Sequence, residues 1–90
     1  MAELYDNIAD SRYELSVGAH TVFARYERRN GVLVLLWVEA PPALRGTGAA
    51  DTLMALIAAE ARERGWRLQP VCSYAAAWLR RNPQSGGMPA

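Results

Sequence analysis

Three patterns of apolar and polar positions divide the chain. From Tyr13 to Val17, apolar residues alternate with Glu14 and Ser16, the two-residue period of a strand with one buried face. Gly18-Ala19 marks a turn. His20 to Glu27 alternates again, with Val22, Ala24 and Tyr26 on one face and Thr21, Phe23 and Arg25 on the other. Asn30-Gly31 is a two-residue hairpin signal, because a type I′ turn needs positive φ at both central positions. Val32 to Val38 is wholly apolar. That predicts a strand buried on both faces, in the centre of the sheet.

Past Gly48 the period lengthens to that of a helix. Ala50, Leu53, Met54, Ile57 and Ala61 fall on one stripe, Asp51, Glu60, Arg62 and Glu63 lie off it, and Gly65 is placed to end it. Trp66 to Val71 then reads as a short strand. Strand–helix–strand units cross over right-handed with parallel strands, so it should lie parallel to Val32–Val38. Ser73 reads as the cap of a second helix, Tyr74 to Arg81, with Trp78 and Leu79 facing inward and Asn82-Pro83 stopping it. Met1 to Asp10 reads as a flexible lead-in and Gln84 to Ala90 as a flexible tail. The expected fold is α/β and covers residues 11–83 as one domain. It is an antiparallel three-stranded meander, then a βα unit with a parallel strand, then a C-terminal helix.

Composition narrows the chemistry. The 90 residues are 51% apolar and 21% charged with a formal net charge of +1, so bulk charge argues for neither nucleic acid nor membrane as partner. Arg62, Arg64, Arg67, Arg80 and Arg81 are spread over different elements and read as solvated. Cys72 is the single cysteine and His20 the single histidine, which excludes an internal disulfide and predicts no metal site. His20, on an early strand, reads as surface, and Trp37 and Trp66 as packing. A reducing, cytoplasmic setting is expected, and no apolar run approaches the ~20 residues of a membrane span.

The stretch from Trp37 to Ala50 carries the candidate chemistry. Pro41 and Pro42 end the strand signal, and Gly46 and Gly48 allow a tight turn with close backbone approach to a ligand. A helix starts at once, so its unpaired N–H groups and its dipole favour an anion, and Arg45 adds a positive charge beside them. A pyrophosphate is the natural occupant. A Walker A loop would need Gly-Lys-Ser/Thr, and a dinucleotide fingerprint would need a small residue where Asp51 stands.

Arg45-Gly46-Thr47-Gly48-Ala49-Ala50 resembles the Arg/Gln-x-x-Gly-x-Gly/Ala motif of the GNAT superfamily of acetyl-CoA-dependent N-acetyltransferases. Glu39-Ala40-Pro41-Pro42-Ala43-Leu44-Arg45-Gly46-Thr47-Gly48 resembles the Glu-Val-Pro-x-x-x-Arg-Gly-x-Gly of its small single-domain subfamily. Pro70-Val71-Cys72-Ser73-Tyr74 and Arg81-Asn82-Pro83 resemble two further segments of that subfamily, so the likeness spans about residues 11 to 84. The resemblance implies that the N–H groups of Arg45, Gly46, Thr47, Gly48, Ala49 and Ala50 bind the pyrophosphate of acetyl-CoA. It implies that the main chain of Val38, Glu39 and Ala40 flanks the pantetheine arm, with Cys72, Ser73 and Tyr74 opposite. Two departures stand out. Trp37-Val38 replaces a frequent His-Thr, and the pattern holds none of the extra N-terminal helices with which larger GNAT enzymes hold substrates.

Two residues are candidate catalysts, each with a structural alternative. Cys72 precedes a helix N-terminus, which favours the thiolate and suits a nucleophile, or it is a small buried residue. Glu39 is a general base for the acceptor amine or a solvated strand-end charge. Tyr74 could protonate the leaving thiolate or cap a core edge. Two functions follow. One is acetyl transfer to an amine of a small molecule or a protein. The other is a non-catalytic acyl-CoA-binding module, alone or within a larger assembly.

Overall fold

The computed structural model describes residues 3–83, so the expected tail from Gln84 to Ala90 lies outside the described residues. Strands β1 (Leu4–Asn7), β2 (Arg12–Val17), β3 (His20–Arg29), β4 (Val32–Glu39) and β5 (Arg67–Pro70) form one sheet in the order β1-β2-β3-β4-β5. The first four are antiparallel neighbours, and β5 runs parallel to β4. Helix α1 (Ala49–Arg64) makes the crossover from β4 to β5, and α2 (Ser73–Arg81) follows β5. The architecture is α/β in the order that alternation and helical periodicity predict. At the end of α1, Gly65 takes φ +77°, and the N–H of Trp66 closes on the Ala61 carbonyl at 2.8 Å. That capping pattern needs the left-handed conformation glycine supplies.

The N-terminus departs from expectation. Leu4–Asn7 is a fourth antiparallel strand rather than part of a loose lead-in, with Leu4 opposite Leu15 and Asp6 opposite Tyr13. Side chains rather than an apolar stripe hold it. The Asp6 carboxylate accepts hydrogen bonds from the Tyr26 hydroxyl and the Arg28 guanidinium. The Asn7 amide donates to Glu14 at 3.0 Å.

Register places Tyr13, Leu15, Val22, Ala24, Tyr26, Leu33, Leu35 and Leu68 on one sheet face. Leu53, Met54, Ile57 and Ala61 of α1 pack on that face, and Ala75, Trp78 and Leu79 of α2 join the same buried cluster. Each large side chain so buried contributes about 1.5–3 kcal/mol. That driving force places both helices on one side of the sheet. The opposite face stays open, which corrects the reading of Val32–Val38 as buried on both faces. Leu33 and Leu35 are buried under the helices and Val34 on the other face, but Trp37 is 52% exposed. The strand is also not central, since only β5 lies beyond it. A run of apolar residues looks two-sided, but here the open side of β4 is apolar without a covering layer.

Candidate functional site

The site forms where β4 loses one neighbour. Parallel pairing with β5 ends at Leu35 opposite Pro70. The Leu35 carbonyl then accepts from the N–H groups of both Val71 (2.9 Å) and Cys72 (3.2 Å) as the chain turns into α2. On the other side of β4 the register slips, so that Tyr26 pairs with Leu35 but Arg25 pairs with Trp37, leaving Leu36 as the extra residue of a bulge. A bulge bends and twists its strand. The end of β4 therefore diverges from β5, and its backbone beyond Leu35 is unpaired on that side. A cleft of about 590 Å³ opens there, walled by Val38 and Glu39 on β4, by Ala40 just past it and by Tyr74 on the first turn of α2.

The loop closes the far end of the cleft. Pro42 starts a single 3-10 turn to Leu44, and Gly46 and Gly48 take φ +79° and +86°. No heavy atom lies within 4 Å of where a Cβ would stand on either glycine. Their requirement is thus conformational on the protein side, and the space beside them is left to a ligand. Several N–H groups of the loop are already used. Arg45 N–H bonds Pro42 O at 3.3 Å and Thr47 N–H bonds Leu44 O at 3.2 Å. Ala49 N–H bonds the Thr47 hydroxyl at 3.3 Å, while that hydroxyl donates to Leu44 O at 2.5 Å. The first helical bond of α1 is Thr52 N–H to Gly48 O at 3.0 Å. The N–H groups of Gly46, Gly48, Ala50 and Asp51 consequently have no partner among the described residues. Arg45, exposed beside them, has one hydrogen-bond partner among the described residues, the Ala40 carbonyl, at 3.2 Å through Nε. Free donors, a helix N-terminus and an unpaired guanidinium thus meet at one end of the cleft, a setting suited to a pyrophosphate.

The expected site residues fall into two groups. Val38, Glu39, Ala40, Arg45, Gly46, Gly48, Ala49, Ala50 and Tyr74 all line the cleft. Thr47, Ser73 and Cys72 do not. Thr47 is occupied in bracing the loop. Ser73 is the first helical residue of α2 rather than its cap, since Cys72 holds that position, and no side chain caps the helix. Cys72 is buried in the core cluster. Three further residues line the cleft: Trp37, Leu44 and Asp51. Trp37, which reads from sequence as packing, is half-exposed, and its indole N–H donates to the Glu39 carboxylate at 2.9 Å. Trp37 and Glu39, two residues apart, share one face, but alternation counted from Leu35 would turn that face toward the helices; the extra residue Leu36 at the bulge turns it to the open side instead. Asp51 accepts from the Trp78 indole N–H at 2.6 Å, a pairing between helices that no spacing rule would find.

Electrostatics distinguish the two walls. Burial raises the pKa of the Tyr74 hydroxyl, and the Asp51 charge nearby raises it further. Tyr74 therefore stays protonated at neutral pH, able to donate a proton rather than accept one. Glu39 presents one oxygen to Trp37, and its other oxygen has no hydrogen-bond partner among the described residues.

A sequence model of a family described as GCN5-related N-acetyl-transferase matches residues 12–87. No curated protein matches the chain. No helix among the described residues is long and apolar enough to cross a membrane.

Proposed function

Since this chain belongs to the GCN5-related N-acetyltransferase family, we propose that it binds acetyl-CoA in the β4–β5 cleft and transfers the acetyl group to an amine of a small molecule or a protein, in the cytoplasm. One observation carries the reading. The unpaired N–H groups of Gly46, Gly48, Ala50 and Asp51 converge with Arg45 at one end of a cleft whose wall is the unpaired edge of β4. The loop and Arg45 hold the pyrophosphate, and Val38 to Ala40 flank the pantetheine arm. Acetyl-CoA supplies the acetyl group as an activated thioester. The protein positions the amine beside it, which replaces a bimolecular encounter by a held geometry. Glu39, in the cleft and with an oxygen free, takes the proton that the ammonium must lose before its nitrogen can attack. As the tetrahedral adduct collapses and its C–S bond breaks, Tyr74 donates a proton to the departing thiolate, and the second proton lost by the nitrogen returns through water to the Tyr74 oxygen. Cys72 packs the core, and transfer runs directly to the bound amine.

A second reading, a non-catalytic acyl-CoA-binding module, draws on Trp37 standing where the resembling subfamily often has His. The two are separated by measuring CoA binding calorimetrically and CoA thiol release with a panel of amines. Binding with amine-dependent thiol release is the expected result. Binding without release would favour the module, and absence of binding would overturn both.

A further inference from the structure

Trp37 and Glu39 form a pair whose side chains the phosphate loop does not use. They share the open face of the sheet, and they line the cleft at the end of β4, away from the phosphate loop. The bond from the Trp37 indole N–H to Glu39 at 2.9 Å fixes the ring beside the carboxylate. An indole half-exposed to solvent presents a negative π face, and a carboxylate next to it adds a full charge. Such a pair is complementary to a single ammonium group. Only Arg45 among the cleft-lining side chains is cationic, and it stands at the other end with the phosphate loop.

The charges that face this pair limit the ligand further. Arg25 lies directly across β3 from Trp37 on the same open face and is exposed. Phe23 lies across from Glu39, with the Arg12 guanidinium 4.5 Å from its ring centre. Arg12 is neutralised by Glu14 at 2.6 Å, whereas Arg25 has no carboxylate within ion-pair distance among the described residues. A second positive charge reaching over β3 would meet Arg25. A neutral alkyl chain would meet Phe23 and the Trp37 ring.

We propose that Trp37 and Glu39 are the acceptor-recognition pair of the cleft, and that the acceptor is an alkylamine carrying one positive charge. The proposal rests on the acetyl-transfer reading for its context but concerns a different end of the cleft. The ammonium sits between the indole ring and the free Glu39 oxygen, its alkyl part runs over Phe23, and Arg25 excludes a dication.

The test uses the full chain and the indole N–H signal of Trp37 in nuclear magnetic resonance, identified by its loss in Trp37→Leu. Three probes of equal carbon count are titrated: n-butylammonium, n-butanol and 1,4-diaminobutane. Butylammonium should shift the Trp37 signal and bind about tenfold more tightly than butanol, and the diamine should bind no better than the monoamine. Glu39→Gln should weaken butylammonium about tenfold while leaving the remaining amide spectrum in place. Equal affinities for butylammonium and butanol, or full affinity in Glu39→Gln, would overturn the proposal. A clear preference for the diamine would overturn the part assigned to Arg25. CoA affinity, measured on the same samples, reports separately on the parent reading. Its loss in the unaltered protein would remove the transferase assignment without touching the ammonium site.

Discussion

At the scale of single residues, the loop proposed to hold the pyrophosphate rests on backbone conformation more than on side chains. Gly48 has φ +86° and open space where a Cβ would stand. Gly48→Glu therefore costs about 1–2 kcal/mol of left-handed strain and leaves the fold intact, but it sets a carboxylate among the free N–H groups. CoA binding should disappear while the circular dichroism spectrum stays near native. Gly18→Glu is the matched control, with φ +61° and equally open space in the β2–β3 turn. It should show similar strain and unchanged CoA affinity. Cys72→Ala gives the opposite outcome at its own site. The residue is buried and off the cleft, so the variant should retain CoA binding and any transfer, with a loss of about 1 kcal/mol from the missing sulfur. An acetyl adduct on Cys72, seen as a protein mass increase after incubation with acetyl-CoA, would restore it as a nucleophile. The two glycines were legible in sequence because glycine has few other reasons to recur beside a helix start. What could not be read was which N–H groups are spent. Thr47 looks like a spacer, yet its hydroxyl and N–H occupy Leu44 and Ala49, so free donors are confined to Gly46, Gly48, Ala50 and Asp51.

At the scale of elements, β1 is held by polar side chains that tie it to β2 and β3. The Glu14 carboxyl lies below its ordinary pKa because the Asn7 amide and then the Arg12 guanidinium hydrogen-bond its charged form. A depressed folded pKa gives stability that is present above the unfolded value, about 4.5, and is lost as pH falls through the folded value. Glu14→Gln should therefore lose less stability than the unaltered protein between pH 7 and about pH 3, read from urea midpoints. Asp6→Ala should release β1 at a cost of about 1 kcal/mol, because it deletes the acceptor of both Tyr26 and Arg28. Faster amide exchange at Leu4 to Asn7 than at β3 would register the release. These contacts explain why β1 was illegible. Leu4-Tyr5-Asp6-Asn7 has one inward apolar residue, and the side-chain ties of Asp6 reach Tyr26 and Arg28, 20 and 22 residues away. The meander, α1 and β5 were legible because each repeats its period often enough to exclude the alternative. For β4 the period was absent, and the apolar run concealed both the bulge at Leu36 and the open face that carries Trp37.

At the scale of the whole molecule, the cleft joins elements from separate parts of the chain. The end of β4, the loop before α1 and the first turn of α2 all wall it. A ligand touching all of them binds only the folded chain, so it stabilises folding by its own binding free energy. At a CoA concentration about 100 times its dissociation constant the gain is about 2.7 kcal/mol. For a domain of this size that raises the melting temperature by roughly 10–20 °C. The dependence on salt identifies which end of the ligand is responsible. Arg45 and the helix N-terminus act through charge at an exposed site, and exposed charges are screened within about 10 Å at 0.1 M salt. The apolar wall of the cleft is indifferent to salt. Raising ionic strength should therefore shrink the melting shift given by CoA. Pantetheine, which has the thiol arm but lacks the adenosine phosphates, should give a small shift that salt barely changes. Arg45→Ala should move the CoA response toward that of pantetheine, weaker and flatter against salt. Equal shifts for CoA and pantetheine at low salt would place the anchor in the pantetheine wall and remove the loop from Arg45 to Ala50 as the phosphate site.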